Sequence, residues 1–326
     1  MFEAEDLCLI STPAWNIDAS TTPCTCSDFC PDGNFVAYSN QPGVLSIVST
    51  YFGEEKNRFT QNLTTFPLTS CHFHPSEPDF VLTTSKDGFI FLYNYESGEC
   101  PLLTRHLGSN LLAMCIDCLG ETFAIACADG SIRLYDIENM TRTKALVKMT
   151  QRVATSQVNN IYSVVFHPED SNIIATAGWN DRVFIWDIRS GNPERYIAGP
   201  HIRGDGVDFR NDCIVTASAR EKKQIEVFDY GTGKKVREIM WDVNRANGSC
   251  TVNTLKIARN GLDLIVGGIG SPYAQIFEFT SGRIIGQTGK MGNSISSVAV
   301  SPYGSSFFYG TENGDSACQM IRVKPK

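Results

Sequence analysis

No stretch of this chain approaches the roughly 18 consecutive apolar residues that a membrane-crossing helix requires. Basic residues are in the minority. Against 35 Asp and Glu stand 28 Lys and Arg, a formal net charge of −7. A protein that holds nucleic acid over its whole surface is ordinarily basic, so this balance argues against that class. Histidine is scarce, five in 326 residues. No Gly-x-Ser-x-Gly elbow offers a local nucleophile, and catalysis by a Ser, Cys or Thr beside a histidine has little to draw on. The first residues, Met1-Phe2-Glu3-Ala4-Glu5-Asp6, are acidic where a secretory leader is basic. Lys324-Pro325-Lys326 carries no prenylation box. The expectation is a soluble cytoplasmic protein, with the nucleus also open.

Cysteine, in contrast, is plentiful at twelve. Without a secretory leader these read as reduced thiols rather than a disulfide framework. Cys24-x-Cys26-x3-Cys30 and Cys115-x2-Cys118 have ligand-like spacing. Repeat register assigns Cys24 to an apolar strand position shared with Leu68, Ile161 and Ile295, and Cys30 to a turn shared with His74, His167 and Ser301. No metal and no cofactor are therefore expected. Gly231-Thr-Gly-Lys-Lys235 falls in a repeat's hairpin turn. Gly267-Gly-Ile-Gly270 is followed by Pro272 and another strand, so neither glycine cluster reads as a phosphate loop.

The dominant signal is internal repetition. One unit is an apolar strand, a Pro/Gly turn, a second strand ending in small residues, an Asp-Gly-type turn, and a third strand ending in an aromatic and an acid. It is clearest over 161–187 and returns over 69–94 and 123–136. Anchor aromatics fall at Tyr93, Tyr135, Trp186, Phe228 and Phe277, 42, 51, 42 and 49 residues apart. Four anchors are followed by turn glycines, Gly98, Gly191, Gly233 and Gly282. A period in the forties predicts four strands per repeat. Weaker units over 30–48 and 301–314 bring the number to seven. The last has three strands before the chain ends, while Leu7–Ile10 is a spare apolar run before the first. A ring in which that run completes the last unit leaves no open sheet edge.

These features resemble the WD40-repeat β-propeller family over nearly the whole chain. Trp186-Asp187 spells the name-giving dipeptide, and Tyr93-Asn94, Tyr135-Asp136, Phe228-Asp229 and Phe277-Glu278 are softened forms of it. The Gly-His that usually precedes a blade is absent, although His106 and His201 fall near its place. The resemblance implies an all-β, seven-bladed propeller. Its blades are expected at roughly 23–66, 67–108, 109–157, 158–200, 201–249, 250–292 and 293–326 plus 5–12, as one domain. Asp87, Asp129 and Asp181 are expected to fix turns rather than catalyse. Small residues ending every second strand, among them Gly178, Gly268 and Gly310, are expected to allow close approach between segments.

What remains is surface. Turns between second and third strands line one mouth of the central channel in this architecture. They carry Lys86, Trp179, Asn180, Arg220 and Tyr273, and Trp, Tyr and Arg dominate interface hot spots. Between Glu138 and Glu169 there is no acid, yet Arg142, Lys144, Lys148 and Arg152 are present, a second candidate surface. The reading is a non-enzymatic scaffold or adaptor that binds other proteins or short peptides within a larger complex. An RNA or ribonucleoprotein platform using the basic loops is the alternative, and a hydrolase with a channel site the third.

Overall fold

The computed structural model describes residues 8–9, 13–17, 22–146, 160–210, 212–241 and 250–320. Among them no helix forms, and the strands assemble into seven sheets. Blade 1 spans 26–60, blade 2 68–105, blade 3 111–146, blade 4 161–198, blade 5 207–239 and blade 6 251–287. Blade 7 combines 295–320 with 15–17. Within each blade consecutive strands pair antiparallel. The first strand of every blade touches the first strands of both its neighbours, right round a closed circle.

The sequence explains this arrangement through period two. Along Phe89–Asn94, Phe89, Phe91 and Tyr93 enter the core between blades 1 and 2. Ile90 and Leu92 enter the core between blades 2 and 3. The run is apolar throughout because both faces are covered. The same division produces seven hydrophobic cores, one at each junction between blades, including a blade 7–blade 1 core of Cys24, Val36, Tyr38, Ala299, Phe308 and Cys318. No blade buries itself alone, so folding of one is coupled to its neighbours.

Fixed points of the repeat fall where the pattern requires. All five anchor aromatics are buried. The small residues ending second strands are forced by close approach to the segments that lead into first strands. A Cβ on Gly178 would lie 1.9 Å from the Asn160 carbonyl oxygen, and one on Gly310 would lie 2.3 Å from the Cys24 Cβ. The predicted turn acids bind locally. Asp87 accepts from the hydroxyls of Ser85 (2.7 Å) and Thr64 (2.8 Å), Asp129 from Ser131 (2.6 Å), and Asp181 pairs with His201 (2.7 Å). In blade 4 the Trp186 indole donates to the Thr176 hydroxyl at 2.9 Å.

One expectation is corrected. Of the run Leu7–Ile10, the described residues Cys8–Leu9 do not close the ring. Cys8–Leu9 pairs in parallel with Ile284–Gln287 and forms a fifth strand outside blade 6. Trp15–Ile17 completes blade 7, antiparallel to Ser316–Met320. The reason is geometric. A fourth strand must run antiparallel to the third and then reach the next blade by a short connection, and only the residues from 18 to 25 separate Ile17 from Cys26. Trp15 also locks the joint. Its indole donates to the Thr50 carbonyl at 2.8 Å and lies directly over Gly53, where a Cβ would stand 2.7 Å from the ring.

Candidate interaction site

The turns between second and third strands are stapled to the chain entering a first strand. Backbone N–H groups of Ala128, Trp179, Ala219 and Glu312 donate to carbonyls of Asn110, Asn160, His201 and Ser294 at 2.8–3.3 Å. This face is therefore a set of short loops held by main-chain bonds, with little conformational entropy left to lose on binding.

On that face Trp179 is 48% exposed. Its ring packs against Tyr162, centroids 5.6 Å apart, and the Tyr162 hydroxyl accepts from the Asn160 amide at 3.0 Å. Beside it, the Asn180 side-chain oxygen is enclosed without a hydrogen-bond partner. The exposed face of this aromatic shelf can receive an apolar or cationic side chain. Lys86 is exposed and Tyr273 is half-buried.

Two predicted contact residues have other work. Arg220 pairs with the carboxylate of Glu226, whose side chain is only 5% exposed. Its Nε donates to the Ser218 hydroxyl at 2.8 Å and its Nη2 to the Lys223 carbonyl at 3.2 Å. The cation neutralises a buried acid and holds its own turn. Lys144 lies against blade 4, its Nζ donating to the carbonyls of Ile188 (2.6 Å) and Arg189 (2.9 Å). Arg142 is exposed, and Lys148 and Arg152 lie outside the described residues.

The opposite mouth holds a cavity of about 690 Å³ at the ends of the seven first strands. In repeat register these strands place Asp28, His72, Cys115, Val165, Asp208, Lys256 and Ala299 at one position, each just before an apolar residue. Polar residues recurring at one strand position were a signal that sequence alone offered and that goes unused in the loop-based reading. Each polar group has a structural partner. Asp28 pairs with His72 at 3.3 Å and accepts from the Phe73 N–H of blade 2 at 3.0 Å. Asp208 accepts from the Ile257 N–H of blade 6 at 2.9 Å, and Lys256 meets Asp205 at 2.7 Å. Burial works against the Lys256 charge, but Asp205 and Asp208 outweigh it and hold the ammonium above its usual range. Burial pushes the Cys115 thiol up to about 11, leaving no thiolate nucleophile at neutral pH. No group of three His, Cys, Asp or Glu among the described residues is placed to hold a metal ion.

A family model described as "WD domain, G-beta repeat" matches residues 150–187, the stretch that leads into blade 4 and ends at Trp186-Asp187. With seven four-stranded blades closed into a ring, this decides the family. The chain is a WD40-repeat protein. Its relatives include a "GATOR2 complex protein WDR24" of Danio rerio, 24% identical over 41% of this chain and 16% of the relative. "Coronin-2A" of Bos taurus is 23% identical over 57% and 38%, and "COMPASS component SWD1" of Saccharomyces cerevisiae 22% identical over 58% and 46%. The WD40 chain thus spans less than half the length of these relatives. Two of the three names describe parts of multiprotein complexes, which supports a role in protein interaction.

Proposed function

We propose that this WD40 protein is a non-enzymatic platform that binds other proteins, its principal contact being the Trp179–Tyr162 shelf with Asn180 at its edge. The observation that carries the reading is a large aromatic, about half exposed, on a turn fixed by main-chain bonds. Pre-organised loops bind without an ordering penalty, and aromatic anchors of this kind dominate binding energy. A protein ligand is favoured over RNA because Arg220 and Lys144, two cations that an RNA surface would need, are already engaged within the fold.

The test is affinity purification of wild type and Trp179→Ala, followed by mass spectrometry, with thermal unfolding in parallel. Truncating a hot-spot aromatic weakens binding by about 2 kcal/mol or more, roughly thirtyfold. The expected result is loss of the recovered partners with an unchanged melting temperature. Recovery of the same partners by Trp179→Ala at the wild-type level would refute this placement. Ultraviolet crosslinking to RNA that depends on Arg142 would favour the alternative.

A further inference from the structure

Neighbouring blades are tied at their outer edge by one recurring device. A side chain on the fourth strand of one blade donates to a carbonyl in the turn between third and fourth strands of the next. Trp15 reaches Thr50 (2.8 Å), Asn57 reaches Tyr95 (3.1 Å), Lys144 reaches Ile188 and Arg189 (2.6 and 2.9 Å), Arg195 reaches Gly231 (3.0 Å), and Arg237 reaches Thr280. Asn57, Lys144, Arg195 and Arg237 occupy one register position, opposite Ile47, Leu134, Ile185 and Val227. Blade 6 carries Gly286 there, but it faces blade 7, whose third and fourth strands are not joined by a turn; at the junction of blades 2 and 3 the position is Leu102, opposite Leu92. Leucine has no donor, and among the described residues no side chain of blade 2 reaches the matching Ile137–Glu138 turn.

The receiving turn departs from the pattern as well. Where blades 1, 2, 4, 5 and 6 place a glycine in left-handed backbone, blade 3 places Met140 at φ +56°, its side chain buried with Leu92 and Ile137 beside Leu102. Beside this apolar seam opens a cleft of about 620 Å³ between the two blades. Leu102 and Leu119 line it, Leu119 being 57% exposed, and its floor is the His74 Nε2–H donating to the Gly120 carbonyl at 2.8 Å. Glu77, Glu121, Asp136 and Glu138 stand around it, and no Lys or Arg lines it.

We propose that this cleft receives an Arg or Lys side chain from an extended segment of a partner protein. The incoming cation supplies in trans the tie that Lys144, Arg195 and Arg237 supply in cis elsewhere. Its aliphatic stem lies on Leu102 and Leu119, and its head reaches the Ile137–Glu138 turn and the acidic rim. Lys144 shows the geometry within the same molecule, one ammonium bridging two successive turn carbonyls. The inference takes from the platform reading only that the ligand is a protein, and it concerns a surface apart from the Trp179 shelf.

The probe is a synthetic acetylated Gly-Leu-Arg-Leu-Gly amide, with a counterpart carrying Gln in place of Arg, titrated into the full chain with methyl NMR detection. Saturable shifts of the Leu102 and Leu119 methyls with the arginine peptide, absent with the glutamine peptide, are the expected result. Leu102→Arg, which fills the slot from within, and the double variant Glu77→Gln/Glu138→Gln should each reduce binding at least tenfold. Trp179→Ala should leave it unchanged, which separates failure here from failure of the shelf. Equal shifts from both peptides, no shift at millimolar peptide, or binding intact in Leu102→Arg would overturn the proposal. Concentration-dependent self-association lost in Glu77→Gln/Glu138→Gln would also overturn it, by naming a second copy as the occupant.

Discussion

Replacing Lys144 by methionine keeps the stem and deletes two hydrogen bonds from an ammonium to the carbonyls of Ile188 and Arg189, 2.6 and 2.9 Å away. Hydrogen bonds to a charged group contribute about 1.5–3 kcal/mol each when well buried. Here the side chain is half-buried. The released carbonyls regain water, and freeing a lysine returns about 2 kcal/mol of rotamer entropy. The net loss is then about 1–2 kcal/mol. An unfolding entropy of about 2 cal/mol/K per residue, over 326 cooperative residues, converts this to a fall in melting temperature of about 1.5–3 °C. Differential scanning calorimetry of Lys144→Met should show that fall as a single transition. Lys86→Met, an exposed lysine, should shift it by less than about 1 °C. Equal midpoints for the two variants would refute the inter-blade tie, and with it the reassignment of Lys144 from partner contact to structure.

Two further outcomes follow from other parts of the ring. Gly178→Ala drives a Cβ to 1.9 Å from the Asn160 backbone oxygen. In urea unfolding it should lose about 3 kcal/mol or fail to fold. Gly289→Ala, with nothing within 4 Å of the added atom, should stay within about 0.5 kcal/mol of wild type. His106 makes stability depend on pH. Arg133 can only donate, so His106 Nε2 accepts from it, and the Nδ1 proton goes to the Tyr135 oxygen at 2.8 Å. Burial, then the charges of Arg133 and Arg142, hold the folded pKa below 6.5. The unfolded chain binds this proton more readily, so stability present above about pH 6.5 is lost as pH falls below it. Melting temperature should drop more between pH 7 and pH 5.5 in wild type than in His106→Asn. Parallel profiles would contradict the assignment.

The repeat was legible because burial on both faces writes itself as apolar runs with punctuation at fixed spacing. The anchors Tyr93 to Phe277 and the small residues at Gly178 and Gly310 could be placed without coordinates for that reason. The closing strand was not legible. Leu7–Ile10 has the apolar content of a strand, whereas Trp15–Ile17 is three residues long with a polar centre. What selects it is direction and reach relative to Ser316–Met320, which composition does not record. Trp179 and Asn180 could be named from their turn position. Tyr162, which completes the shelf, could not, because its strand reads as core. Arg220 and Lys144 looked free because their partners, a buried Glu226 and the carbonyls of Ile188 and Arg189, are set by packing that charge counting does not see. The exception at Leu102 became visible only after four other blades had shown what its position ordinarily does.

Closure of the ring by Trp15–Ile17 is tested most directly by hydrogen–deuterium exchange of the Ser316–Met320 amides in three chains: full-length, one beginning at Pro13, and one beginning at Asp18. The account predicts that the chain from Pro13 keeps the full-length protection of Ser316–Met320. The chain from Asp18 should lose it, together with protection at the Thr50–Gly53 turn. Undiminished protection in the chain from Asp18, or its loss already in the chain from Pro13, would contradict it.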